Sequence, residues 1–416
     1  MLVLQIKPVL AALKRHKAGT LLIGLQIALT LAIVCNALFI IQQRLTHLSR
    51  TTGIVESDLL TVGSEWTSAS GAAVEPLVHA DLQTLRELPG VQDVGVSYGY
   101  PLRGGGWNSG VTIKPDAKQP VAVTWRFFAD DHVLTVLGAK LIAGRNFRAD
   151  EIRAMDSHNL AAPAQLIITK ALAEKVYPNQ SALGKPLYIG GATAPSTIIG
   201  IMDHLQGGSA SSWSDAISDY VVLEPKLLTD KSNAYLIRTR PGQLGAVASI
   251  ARDALFKTNR LRIIPNGEGE GRGVRSFAQV REQAYKSDRG MAIIMSAICA
   301  VLLIITAAGI VGLTSFWVGQ RRRQIGVRRA LGATRHDILG YFLTENFLIS
   351  LGGVMAGIVL ALGLSLWLVT HFETRRLPLP FVLIGVALLL LLGQVATFAP
   401  ALRASRVSPA EATRSA

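Results

Sequence analysis

Four long apolar stretches interrupt this chain, at 20–41, 290–318, about 344–370 and about 379–402, and a segment of different texture separates the first two. A helix needs roughly 20 residues to cross the hydrocarbon core of a bilayer, and each stretch reaches that length. Glu345 is the only charged residue in any of them. The pattern predicts four transmembrane helices, bounded at 20–42, 290–318, 338–370 and 379–402. The first does not read as a secretory signal, being too long for the apolar core of one and lacking a small-x-small exit. Cys35 lies in mid-stretch behind Val34, which is not the setting of a lipid-modified cysteine.

The intervening segment, 43–289, alternates helical and strand patterns. Helical spacing occurs near 81–88, 169–176 and 245–256, and period-two alternation at 91–98, 121–127, 165–168, 196–201 and 234–239. Pro89-Gly90, Gly104-Gly105-Gly106 and Gly190-Gly191 punctuate it as turns and loops. So many interleaved elements predict two packed subdomains. The first span continues past residue 42 without a breaker until Gly53. The stretch 265–274 holds four glycines and reads as a flexible joint. From Phe277 a helical pattern runs without proline into the second span, so both spans extend outward as stalks. The fold class is a membrane protein with four transmembrane α-helices and a large α+β domain inserted between helices 1 and 2.

Charge gives this arrangement a direction. The formal net charge is +14, and the excess sits in three short segments. Residues 1–19 hold Lys7, Lys14, Arg15 and Lys17 with no acid, 319–337 hold six arginines against Asp337, and 403–416 hold Arg403, Arg406 and Arg414 against Glu411. The large segment is close to neutral. By the positive-inside rule the short segments are cytoplasmic and the large one lies outside. The hairpin 371–378 also lies outside, its Arg375 and Arg376 running mildly against the rule. The basicity is therefore topological. No basic patch interleaved with aromatics occurs in the outside segment, which argues against nucleic acid as a partner; membrane lipid is the partner the spans require. Within 1–19, Val3, Ile6, Val9, Leu10 and Leu13 recur at helical spacing, with Pro8 interrupting. An interfacial helix on anionic lipid and plain flanking sequence are both open readings. Cys35 and Cys299 both fall in predicted spans, so no disulfide staples the outside domain.

The segment 319–337, between the second and third spans, carries more than charge. Taken as a helix, 320–331 places Val327, Ala330, Leu331 and Thr334 on one stripe, with Arg321, Arg328 and Arg335 beside it. Gly332 is positioned to end that helix, and Thr334 with Asp337 has the spacing of a capping box for the next. The expected form is helix, sharp turn, helix. A third helix running from Thr334 to Thr370 would be about 55 Å long, so its first turns stand in the cytoplasmic interface. Topology anchors need only charge, whereas this pattern describes a shaped surface. Ala308 and Gly312 in the second span, and Gly353 and Gly357 in the third, are small-xxx-small pairs that let helix backbones approach closely. They suit either packing within the four helices or a seam between two copies. Glu345, an acid inside a span, is a candidate for coupling or helix packing.

Residues 322–334 (RRQIGVRRALGAT), followed by Asp337-Ile338-Leu339 and Phe342-Leu343-Thr344-Glu345, resemble the FtsX-like permease domain of MacB-type ABC transporters. The tail 400–412 (PALRASRVSPAEA) resembles that family's C-terminal end. Residues 136–147 (VLGAKLIAGRNF), Ala182-Leu183-Gly184-Lys185-Pro186 and Ile198-Ile199-Gly200-Ile201 are similar to stretches of its periplasmic domain. The likeness covers essentially the whole chain. It departs at Gln324, where the family usually has an acid, and that puts an ion-pairing role there in doubt. The resemblance implies a permease in the bacterial inner membrane with its large domain in the periplasm. It implies a dimer with a second permease subunit, each engaging a cytoplasmic ABC ATPase through a coupling helix. Arg321, Arg322, Arg323, Ile325, Gly326, Val327, Arg328, Arg329, Ala330, Leu331, Gly332 and Thr334 are its candidate coupling residues. Movement imposed there would pass to the periplasmic domain, a mode called mechanotransmission, and drive efflux. A domain of that size also suggests a periplasmic adaptor leading to an outer-membrane channel.

Nothing in these residues cradles a nucleotide. Gly184-Lys185 is followed by Pro186 and lacks the upstream glycine of a phosphate-binding loop, so the ATPase is expected on a separate polypeptide and the chain itself is not expected to be an enzyme or to hold a cofactor. The eight histidines are scattered, without H-E-x-x-H or neighbouring cysteines, and no metal site is expected. No G-x-S-x-G elbow occurs. Release of lipoproteins from the membrane, and control of a cell-wall hydrolase without transport, remain alternative uses of the same architecture.

Overall fold

A computed structural model describes residues 17–115, 117–156, 161–265, 273–372 and 376–406. The amphipathic reading of the extreme N-terminus, most of the glycine-rich joint and the last ten residues of the tail fall outside the described residues. The chain divides into two compact units, Ser49–Ser287 and the pair of segments Met1–Leu48 and Asp288–Ala416.

Along the chain, α1 (Lys17–Leu48) precedes β1 (Leu59–Trp66), α2 (Val74–Arg86), β2 (Val91–Ser97), β3 (Trp107–Thr112) and β4 (Ala122–Ala129). Then come α3 (Val133–Leu137), β5 (Leu141–Gly144), β6 (Arg153–Met155), β7 (Gln165–Thr169), α4 (Lys170–Val176), β8 (Pro186–Ile189) and β9 (Ser196–Met202). The unit ends with β10 (Val221–Leu228), β11 (Ser232–Thr239), α5 (Leu244–Thr258), β12 (Arg262–Ile263), β13 (Gly273–Ser276) and α6 (Phe277–Ala284). The four long helices are α1, α7 (Lys286–Gln320), α9 (Arg335–Phe372) and α10 (Leu379–Ser405), with the short α8 (Arg322–Ala330) between the second and third.

In the Ser49–Ser287 unit the expected pair of subdomains shares one hydrogen-bonded network. One half is antiparallel, with β11 flanked by β1 and β2, and β12 and β13 on the far side of β1. Helices α2 and α5 bury Val78, Leu82, Leu85, Val247, Ala251 and Leu255 against Leu60, Val62, Tyr235 and Ile237 of this half. In the other half, β4, β3, β8, β9, β7 and β10 pair in sequence and β10 returns to β4, closing a ring of six strands. Its interior holds Val111, Leu166, Ile168, Leu187, Ile198 and Val222, with Leu172 and Val176 of α4.

Buried charged groups need explicit partners, and two sites in this unit show how they are met. Asp81 and Arg262 form a fully buried bidentate pair at 2.7 Å, with the Tyr235 hydroxyl donating to the same carboxylate. Arg238 has no such partner among its hydrogen bonds. Its guanidinium donates instead to the carbonyls of Val55, Ser57 and Val136, tying the segment before β1 to α3, and burial lowers its pKa. Gly144 follows from steric need: its φ is +80°, and a Cβ there would lie 2.0 Å from the Ile199 carbonyl oxygen.

The long helices follow from uninterrupted apolar sequence, and all four are long and apolar enough to cross a membrane. The protein is a multi-pass membrane protein. Helix α1 is the most enclosed, with 56% of its apolar window buried against 17–33% for the others. Gly353 and Gly357 of α9 are what permits this. Cβ atoms there would lie 2.7 Å from the Gly24 carbonyl oxygen and 2.9 Å from Leu31 Cβ, so this small-residue pair serves packing within the chain. Ala308 and Gly312 of α7 lie exposed instead, and a Cβ on Gly312 would meet nothing within 4 Å. Polar links join the helices: Thr30 with Thr306 at 2.8 Å, Asn36 Nδ2 to the Ala361 carbonyl at 3.2 Å, and Arg44 with Asp288 at 2.7 Å. The helix expected to run unbroken from Phe277 is interrupted at Tyr285, where φ is −101° and ψ is 7°.

Candidate coupling segment

Helix α7 ends at Gln320, and Arg321, with φ −97° and ψ 8°, turns the chain into α8. The far end of α8 closes by two bonds, Gly332 N–H to the Arg329 carbonyl and Ala333 N–H to the Arg328 carbonyl, both 3.1 Å. This closure needs a left-handed residue, and Gly332 supplies it at φ +99°. Two residues on, the Thr334 hydroxyl accepts from Asp337 N–H at 3.2 Å while the Asp337 carboxylate accepts from Thr334 N–H at 2.9 Å. That reciprocal box starts α9, and hydrogen bonding to Thr334 lowers the Asp337 pKa. Short-range chemistry alone thus fixes helix, turn and helix.

The two faces of α8 are unlike. Ile325 and Gly326 are buried, Ile325 packing with Ile338 and Phe342 of α9 and Ala401 and Ala404 of α10. The stripe of Val327, Ala330, Leu331 and Thr334 faces outward together with Arg322, Arg323 and Arg328; Val327 is 46% and Leu331 84% exposed. Arg329 is half-buried, and the Arg328 guanidinium lies over the Tyr341 ring, 5.1 Å from its centroid. Arg321 does not share the outward row with Arg328. It turns inward and its Nη1 donates to both oxygens of Glu345, at 3.0 and 2.9 Å, where both groups are buried. The signal for this pair was present in the sequence: an acid inside a span requires a cation, and Arg321 is the first basic residue after the preceding span. Among the described residues no three His, Cys, Asp or Glu side chains converge as a metal site.

The segment is therefore a braced lever with a cationic face carrying two exposed aliphatic side chains. A family profile for the FtsX-like permease C-terminal domain matches residues 296–409, which include all of it. A second, for the MacB-like periplasmic core domain, matches residues 21–253, more than half of the chain. The chain belongs to the MacB/FtsX-like permease family. Relatives of this permease include the macrolide export ATP-binding/permease protein MacB 2 of Aeromonas hydrophila subsp. hydrophila, 26% identical over 97% of the chain and 59% of the relative. The MacB protein of Bartonella henselae is 25% identical over 85% of the chain and 50% of its own length. The pyoverdine export ATP-binding/permease protein PvdT of Pseudomonas syringae pv. syringae is 26% identical over 69% and 42%. The permease thus spans about half the length of these relatives. Two solved structures are similar in part: the periplasmic region of MacB from Actinobacillus actinomycetemcomitans (13% identity, 57% of this chain and 96% of that one, TM-score 0.33) and the extracellular domain of YknZ from Gram-positive bacteria (16%, 52% and 99%, 0.31).

Proposed function

We propose that this permease is the membrane part of an ATP-driven exporter of the bacterial inner membrane, and that α8 is where an ABC ATPase acts on it. The observation that carries the reading is the construction of α8. One face is locked into α9 and α10 by Ile325, the capping box and the Arg321–Glu345 pair, while the other presents Arg322, Arg323, Val327, Arg328 and Leu331. A push on the exposed face moves the helices with it, because the braces leave no slack to absorb it. The relatives named as ATP-binding/permease proteins join both activities in one chain. Here the ATPase lies outside these 416 residues. The positive-inside reading puts α8 in the cytoplasm and Ser49–Ser287 in the periplasm. A second permease copy, a periplasmic adaptor and an outer-membrane channel complete the proposed machine, and export proceeds by mechanotransmission.

The test is replacement of Arg328 by Glu and Leu331 by Ser in one variant. Both side chains are on the exposed face, so membrane insertion and thermal stability should match wild type. Permease-stimulated ATP hydrolysis should fall at least tenfold, about 1.4 kcal/mol of lost coupling. Full stimulation in that variant would refute the assignment of α8.

A further inference from the structure

One aromatic residue touches both the exposed and the buried side of the coupling segment. Tyr341 lies in the second turn of α9, half-buried against the cluster of Ile325, Ile338, Phe342, Ala401 and Ala404. Its ring meets that of Phe342 edge-on, with centroids 5.6 Å apart, so it has little room to swing. The exposed Arg328 guanidinium lies over the same ring, 5.1 Å from the centroid. The Tyr341 hydroxyl accepts a hydrogen bond from Arg321, whose guanidinium also holds Glu345, one helical turn further along α9. One side chain thus contacts two arginines that stand at opposite ends of α8.

The two cations differ in what neutralises them. Arg321 is buried and paired with Glu345. Arg328 is exposed and, among the described residues, forms no ion pair with a carboxylate. No acid lies anywhere between Gln320 and Ala333 to supply one. A guanidinium stacked on an aromatic ring at an exposed site is held weakly, but the stacking removes much of the freedom of a long side chain. It then offers its N–H fork in a set direction at little further entropic cost, and that fork matches a carboxylate.

We propose that Tyr341 is a positioning residue for coupling: its ring holds Arg328 ready for an acidic side chain of the ATPase, and its hydroxyl ties that seat to the buried Arg321–Glu345 pair. This deepens the reading of α8 as the ATPase contact and rests on it. Ring and hydroxyl then have separable duties. The ring governs how tightly the ATPase is gripped. The hydroxyl governs how far a load on Arg328 reaches a pair whose disruption strands a buried charge.

Proteoliposomes holding the full permease, titrated with its ABC ATPase, separate the two through the half-saturating ATPase concentration and the maximal stimulated rate. Tyr341→Phe keeps the ring, so half-saturation should stay within roughly twofold of wild type while the maximal rate falls by about threefold or more. Tyr341→Leu removes the seat as well. Half-saturation should rise by roughly fivefold, and adding Arg328→Gln should raise it no further. A purely structural role predicts the opposite pattern, with Tyr341→Phe silent and Arg328→Gln adding its full effect to Tyr341→Leu. A full maximal rate in Tyr341→Phe, or additive losses in the double variant, overturns the proposal. If Tyr341→Leu fails to fold, the Tyr341→Phe result still decides. The reading of α8 fails in a different way. Full stimulation in the variant with Arg328→Glu and Leu331→Ser removes α8 as the contact, and the role of Tyr341 with it. Loss of stimulation there, with Tyr341 variants that behave as wild type, removes the role of Tyr341 alone.

Discussion

Asp130 shows how one residue couples fold and solvent. Its carboxylate accepts from the backbone N–H groups of Val96, His132 and Val133, stitching β2 to the start of α3. Burial outweighs those bonds and raises its pKa from 3.8 to about 6. The folded protein therefore holds a proton that the unfolded chain releases over the window from 3.8 to about 6, and stability falls as the pH rises through it. Asp130→Asn should flatten that part of the melting temperature against pH, even though the amide loses one acceptor contact. An unchanged slope between pH 4 and 6 would assign the dependence elsewhere. Glu151 has the opposite sign. Hydrogen bonds from Arg145 lower its pKa to about 2, so its contribution is complete above the ordinary value and fades only in stronger acid.

Elements held by local rules are the ones a sequence discloses. Thr334 and Asp337 announce the start of α9 and Gly332 the end of α8, because each acts on neighbours within four residues. Thr334→Ala should cost about 1 kcal/mol of cap and speed amide exchange over the first turn of α9, with the middle of that helix unaffected. Uniform exchange rates across the two proteins would show the box to be incidental. The same logic explains what stayed hidden. Strand β10 is buried at all eight positions yet contains Glu224, Pro225 and Lys226, so its apolar run breaks off where the strand does not. Glu224 and Lys226 pair with each other at 2.7 Å, but the further partners that complete them, Arg126 of β4 for Glu224 and the Ala161 carbonyl for Lys226, are distant in the chain, and no window of neighbours reveals those. The inward turn of Arg321 toward Glu345, 24 positions away, is not shown by a helical projection of α8 itself; its signal is the acid inside the third span. The stripe of Val327, Ala330, Leu331 and Thr334 is exposed, as a surface offered to a partner must be, and the correction falls on Arg321, which leaves the row beside that stripe and turns inward.

At the scale of the molecule, the spans follow from length and hydropathy alone, whereas the closure of six strands into a ring depends on pairings among residues far apart in the chain. Movement proposed to begin at α8 is carried by the chain into the Ser49–Ser287 unit at both of its ends. The first strand of the unit, β1, and its last, β13, are direct partners, from Leu60 opposite Ser276 to Gly63 opposite Gly273. A disulfide joining Thr61→Cys to Arg275→Cys, a facing pair, tests whether the termini travel together; Cys35 and Cys299 are buried in the helical unit and do not compete. Oxidation should leave permease-stimulated ATP hydrolysis intact. Loss on oxidation with recovery on reduction would mean that the termini must part. The mechanical consequence is asymmetric. Towed side by side, β1 and β13 share a load without breaking a rung of the ladder between them. Drawn apart, they open like a zipper, one rung after another, at far lower force than shearing the strands would need.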